Sequence, residues 1–211
     1  TPILGSVIQT FDGFKVQVTN YVAEFTWAGT ATAGATVKVS ATGLVTVTGL
    51  GKAVSSTLTL KTSRAGYVGG AVTLSSSSLP SVPAMTPEQM AMLTAKDVAS
   101  IPVATWTSVG ASQMRAITPA AMSGLPVAVF KALKPGLLAA LTAAQVAHLS
   151  LDCIKVATKA LISGMTSSAL VGLTVEQIGV LPQKGAQAVP QSAYVKMTVL
   201  QQQALVKAQG A

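Results

Sequence analysis

The 211-residue chain is poor in the residues that do chemistry: one cysteine, one histidine, six acidic side chains and two tryptophans. A lone thiol, Cys153, excludes an internal disulfide framework and a zinc site built on cysteines. In the second half the acids Glu88, Asp97, Asp152 and Glu176 stand far apart, so paired-carboxylate hydrolysis and metal ligation have no cluster to draw on. No catalytic residue, no metal ligand and no cofactor site is expected. His148, Asp152 and Cys153 lie close in sequence. His148 and Cys153 read as a surface imidazole and a small core-facing thiol, because a nucleophile, base and orienter would have to converge in space.

Long apolar runs are also missing. Stretches without charged residues, such as 136–151 and 160–175, fall short of the ~18–20 residues a bilayer helix needs and are interrupted by Thr, Ser, Gln and Gly, so no membrane span is expected. The first residues show no charged-then-apolar order. The expectation is a cytoplasmic chain, or a mature or excised piece of a secreted one. Fourteen basic against six acidic residues give a net charge of +8, but the basic residues are spread singly and lack interleaved aromatics, which argues against nucleic acid as a partner.

What the chain has in quantity is apolar and small residues, and their type changes abruptly. Before Ser75 the sequence is Thr, Val and Gly in alternation; after Ser75-Ser-Ser-Ser-Leu-Pro-Ser-Val-Pro83 it turns to Ala, Leu, Gln and Met. Such Ser and Pro runs mark borders. The expected organisation is multidomain, β followed by α: a first domain over 1–80, a linker over 81–84 and a second domain over 85–211.

In the first part Phe14, Val16 and Val18 alternate with polar neighbours, and the pattern returns at Phe25 with Trp27, Val37 with Val39, Val45 with Val47, Leu58 with Leu60 and Val72 with Leu74. With an opening strand around 3–8 this makes seven short strands, the count of an antiparallel two-sheet β-sandwich. Phe14, Val16, Val18, Trp27, Leu58 and Leu60 are its expected core. The stretches Glu24-Phe-Thr-Trp-Ala-Gly-Thr-Ala-Thr-Ala-Gly34, Ala41-Thr-Gly-Leu-Val-Thr-Val-Thr-Gly49 and Thr62-Ser-Arg-Ala-Gly-Tyr-Val-Gly-Gly-Ala71 resemble the immunoglobulin-like or fibronectin-like modules strung through large bacterial surface proteins. The resemblance implies an extracellular spacer or adhesive module without catalysis.

The second part repeats every eight residues without an insertion. Met85, Leu93, Ile101, Val109, Ile117, Leu125, Leu133, Leu141, Leu149, Ala157, Met165, Leu173, Leu181, Val189, Met197 and Leu205 open sixteen successive octads. A second apolar series, which includes Trp106 and Phe130, occupies the sixth position as far as Ile178. The second position is Thr, Ser, Pro or Gly in all octads but those with Lys134 and Val206. One long helix is excluded, since eight residues at ~100° each would turn the apolar stripe by about 80° per octad. Thr or Ser at an N-cap, Pro in a first turn and Gln or Asp three residues on read instead as a fresh short helix in each octad.

A helix of about six residues does not survive alone in water. Octads must therefore stack on one another as an α-solenoid, with the first and sixth positions inward and the others outward. Met85, Leu93, Ile101, Trp106, Ile117, Leu125, Phe130, Leu133, Leu141, Leu149, Leu173 and Leu181 are its expected core. Two octads per coil is the working expectation, and three per coil fits the pattern as well. Leu141-Thr-Ala-Ala-Gln-Val-Ala-His148 and Leu173-Thr-Val-Glu-Gln-Ile-Gly-Val180 are similar to degenerate Leu-Thr-x-x-Gln-Val-x-x repeats of bacterial surface and secreted proteins. Leu205-Val-Lys-Ala-Gln-Gly-Ala211 contains no amphipathic cap, which would leave a sticky end. The expectation is a non-enzymatic extracellular or cell-surface protein: a head-to-tail filament or lattice subunit, or a stalk. The alternative is an adhesin-type module for a glycan or a surface protein.

Overall fold

The computed structural model describes residues 1–210, which divide between Ser81 and Val82 into two compact units. The first unit holds seven strands: β1 (Leu4–Thr10), β2 (Gly13–Val18), β3 (Thr26–Ala31), β4 (Thr36–Val39), β5 (Leu44–Thr48), β6 (Ser55–Ser63) and β7 (Gly70–Ser77). They form two antiparallel sheets, one in the order β1-β2-β5-β4 and one in the order β3-β6-β7. Period-two alternation turns one face of each sheet toward a shared core of Phe14, Val16, Val18, Val45, Val47, Leu50, Leu58 and Leu60.

Trp27 departs from its expected place at the centre of that core. It lies on β3, which is at the edge of its sheet, and only packs against the margin of the core, half-buried. The physical reason is the indole N–H, which needs an acceptor and finds Val22 O at 2.9 Å in the loop before the strand.

The second unit is a succession of helices of three to six residues, closed by a longer one. Where the second octad position is Thr or Ser, its hydroxyl accepts the backbone N–H three residues on, at Thr86, Thr94, Thr118, Thr142, Ser150, Thr158, Thr166, Thr174 and Thr198. All sixteen first-position residues from Met85 to Leu205 are buried, as is every sixth-position residue from Met90 to Ala186.

Packing of the octads corrects the sequence reading at three points. First, each octad meets the octad three further on, so a turn takes three octads, or 24 residues, and not two. Second, the fifth position is also inward over most of the unit: Gln113, Ala121, Val129, Leu137, Gln145, Cys153, Leu161, Ala169 and Gln177 are buried. Third, 82–84 is no linker. Val82–Ala84 forms a 3-10 turn packed on the 3-10 helix Val103–Ser108, and Val82, eight residues before Met90, extends the sixth-position series by one octad.

The last two octads also behave differently. At Val206 there is neither a capping hydroxyl nor a glycine or proline, and no proline follows as Pro135 follows Lys134, so nothing interrupts the helix and it runs for ten residues from Val199 to Ala208. At that helix two glutamines tie back to earlier octads, while Val199 and Leu200 stay exposed. Gln202 Nε2 donates to Tyr194 O at 2.9 Å and Gln209 Nε2 to Ala186 O at 3.0 Å. Tyr194 and Ala186 are sixth-position residues, and their carbonyls also accept the first-position N–H three residues on.

Candidate functional site

The groups that could do chemistry are kept apart. His148 is exposed, with Nδ1 2.9 Å from Ala144 O within its own octad. Cys153 is fully buried; its Sγ donates to Leu125 O at 3.4 Å, and burial pushes the thiol above its ordinary range. Asp152 pairs with Lys155 at 2.9 Å on an exposed face. Glu88 is solvent-exposed, its carboxyl held below the usual range by its own backbone N–H and the Thr86 hydroxyl. Among the described residues no three His, Cys, Asp or Glu gather as a metal site, and no helix is long and apolar enough to cross a membrane. Leu181-Pro-Gln-Lys-Gly185 is an ordinary octad with Leu181 buried and Pro182 before the helix.

What the second unit builds is a set of inter-turn ties. Gln145 Oε1 accepts the Thr142 N–H at 2.9 Å, while Nε2 donates to Met114 O at 2.9 Å and Ile117 O at 2.7 Å in the turn before. Gln113 and Gln177 repeat this geometry, to Met85 O at 2.8 Å and Leu149 O at 2.8 Å. Gln201 does so to Leu173 O at 2.6 Å. In every case one acceptor is the first-position carbonyl 28 residues earlier, and Leu125 O stands in the same relation to Cys153. One side chain thus closes its own helix and stitches it to the neighbouring turn, so a buried amide is satisfied on both its oxygen and its nitrogen. Gln at N3 was legible in the sequence as a capping residue. Its second role was not, because that depends on where the turn closes.

The one buried side-chain nitrogen or oxygen without a partner among the described residues is Trp106 Nε1, which costs about 1–3 kcal/mol.

The first unit gathers aromatics. Tyr21 and Trp27 stack at 5.1 Å, Phe25 and Tyr67 meet edge to face at 5.5 Å, and the Arg64 guanidinium lies 4.8 Å over Tyr67. Phe25 and Trp27 line a cavity of about 290 Å³ with Asn20 and Thr62, and Tyr67 is 60% exposed. Asn20 is already engaged, with Oδ1 accepting the Ile3 N–H and Nδ2 donating to Thr1 O. Comparison with known proteins adds nothing to this geometry: no family model matches the chain, and no curated protein or solved structure is similar to it.

Proposed function

We propose that this is a non-enzymatic structural protein of a bacterial cell surface, with an immunoglobulin-like β-sandwich followed by an α-solenoid that serves as a stalk. Two observations support the fold. The sheet orders β1-β2-β5-β4 and β3-β6-β7 correspond to strands A-B-E-D and C-F-G of the constant-type immunoglobulin sandwich. The 24-residue turn makes each octad depend on the octads before and after it, as solenoid repeats do.

The observation that carries the function is the buried glutamine tie, which recurs along the second unit and joins turn to turn rather than lining a pocket. A stalk has to transmit load between successive turns, and these bonds do that directly. The test is in-register deletion. Removing three octads, 125–148, shortens a stalk by one turn and leaves a cooperative fold and surface display intact. Removing the single octad 125–132 moves every later octad to a different face and collapses helicity. A stalk is ruled out if the 24-residue deletion abolishes the biological readout while the fold survives.

Filament assembly is the weaker form of this reading. Gln202 and Gln209 occupy the carbonyls of Tyr194 and Ala186, although Val195, Val199 and Leu200 remain 60–67% exposed. Electron micrographs showing fibres would favour assembly, and single particles a stalk. The aromatic cluster favours a second reading, an adhesin-type module that stacks sugar rings on Tyr67 and Trp27. A glycan array that scores the full chain but not Tyr67→Ala would support it.

A further inference from the structure

We propose that one edge of the Val82–Ala211 unit binds an acidic polysaccharide whose charges repeat at the rise of one turn. The inference rests on the 24-residue turn and not on the stalk reading.

The lysines of this unit are scattered in sequence, yet the turn length gathers most of them. Lys131 and Lys155 hold the seventh position of octads one turn apart. Lys134, Lys159, Lys184 and Lys207 hold the second to fourth positions of octads that follow one another at one-turn intervals. The chain steps from the seventh position of one octad into the early positions of the next, so the two columns share one edge. Direct geometry supports this. Lys155, Lys159 and Lys184 line one cavity of about 470 Å³ together with Thr158 and Gln183. Lys134 Nζ donates at 3.4 Å to the carbonyl of Thr107, the residue one turn before Lys131. Lys207 lines a cavity with Gly179, the residue one turn after Lys155.

All six ammonium groups are on exposed residues. Against them stand Asp152, paired with Lys155 at 2.9 Å, and Glu176 one turn beyond it. The edge is therefore a column of positive charge with rungs at the separation of packed helices, about 8–10 Å. A polysaccharide with a carboxylate on every second sugar has a period of the same order.

The edge lacks what other polyanions favour. Single-stranded nucleic acid needs aromatic platforms for its bases, and Trp106 and Phe130 are buried. Phosphate is favoured by the guanidinium fork, and the edge column is all lysine. The exposed Thr158 and Gln183 beside the lysines suit sugar hydroxyls.

The test measures binding of the full chain to hyaluronan across a salt series, beside neutral dextran, polyphosphate and oligo-dT. Lys155→Gln/Lys159→Gln/Lys184→Gln is compared with Lys96→Gln/Arg115→Gln/Lys196→Gln, which removes equal charge elsewhere. The expected result is hyaluronan binding that falls with salt and is weakened about tenfold or more by the edge triple. The fall of affinity with rising salt then becomes shallower, because three of the screened ion contacts are gone. The control triple stays within about twofold of wild type. Equal losses in both triples, absent hyaluronan binding, or tighter binding of polyphosphate or oligo-dT to the same edge would each overturn the proposal. If circular dichroism finds the edge triple unfolded, the single changes Lys159→Gln and Lys184→Gln decide by the same criteria.

Discussion

Replacing Gln145 with leucine separates the two jobs of the ladder glutamine. In the native turn Gln145 is 1% exposed and serves the Thr142 N–H, Met114 O and Ile117 O. Leucine fills a similar volume and serves none of them. Met114 O keeps the Ile117 N–H at 3.3 Å, so two backbone groups are the main losers. At about 1–3 kcal/mol for each of the two groups left unpaired, less about 1–2 kcal/mol gained by burying an apolar side chain, the net cost falls between about 0 and 5 kcal/mol, centred near 2.5. Gln89 is the internal control. It holds the same octad position in the first octad and its Oε1 accepts the Thr86 N–H at 3.0 Å, but its Nε2 has no partner among the described residues. Gln89→Leu should therefore cost about 0.5–1 kcal/mol, the loss of an exposed cap bond. Urea denaturation followed by far-UV circular dichroism reads both, with an unchanged m-value confirming that the same transition is measured. Equal costs for the two variants would show that only the cap matters and that the inter-turn bonds contribute nothing. Gln145→Glu sharpens the result. A buried carboxylate facing two carbonyls has its folded pKa raised above the unfolded value. Its stability is then present at acid pH and lost as pH rises through the folded pKa.

Other positions yield sharper contrasts from smaller changes. Gly172→Ala would put a Cβ 1.9 Å from Ala143 O one turn away, whereas Gly136→Ala meets open space inside a helix. The first should cost several kcal/mol in urea melts and the second should gain about 0.5–1 kcal/mol. The Cys153 thiol should resist alkylation in the native protein and react fully once urea unfolds it; fast native labelling would contradict its burial. Because its folded pKa is raised, stability should also fall as pH climbs past the ordinary thiol value of about 8.5, a loss Cys153→Ala removes. Gln202→Ala/Gln209→Ala removes the second donor from Tyr194 O and Ala186 O, which keep the N–H of Met197 and Val189, and should fray the ten-residue helix and raise self-association in light scattering. Unchanged helicity and mass would show that those glutamines do not hold the helix.

How far the sequence could be read is decided by the range of each signal. Strand alternation and N-caps act over two or three residues, so Phe14, Val16 and Val18 and the run of capping threonines were visible directly. The octad itself was visible because Met85 through Leu205 must all be inward whatever the turn length. Turn closure was not, because every octad obeys the same local rule and nothing within eight residues distinguishes a two-octad turn from a three-octad one. That distinction lies in pairs of residues 28 to 31 apart, such as Gln145 with Ile117 and Met114. Two consequences were hidden with it: the inward fifth position, and the alignment of lysines that look solitary in the sequence. The border was masked for a different reason. Val82 obeys the octad period, but the Ser and Pro around it carry the composition of a linker, and burial follows position before composition. The same logic explains the closing helix. At 206 no capping hydroxyl, glycine or proline interrupts the helix, and no proline follows as Pro135 follows Lys134, so two octads fuse. The fused helix carries Gln202 and Gln209 to the carbonyls of Tyr194 and Ala186, so the absence of a break at 206 lets one helix tie back to two earlier octads.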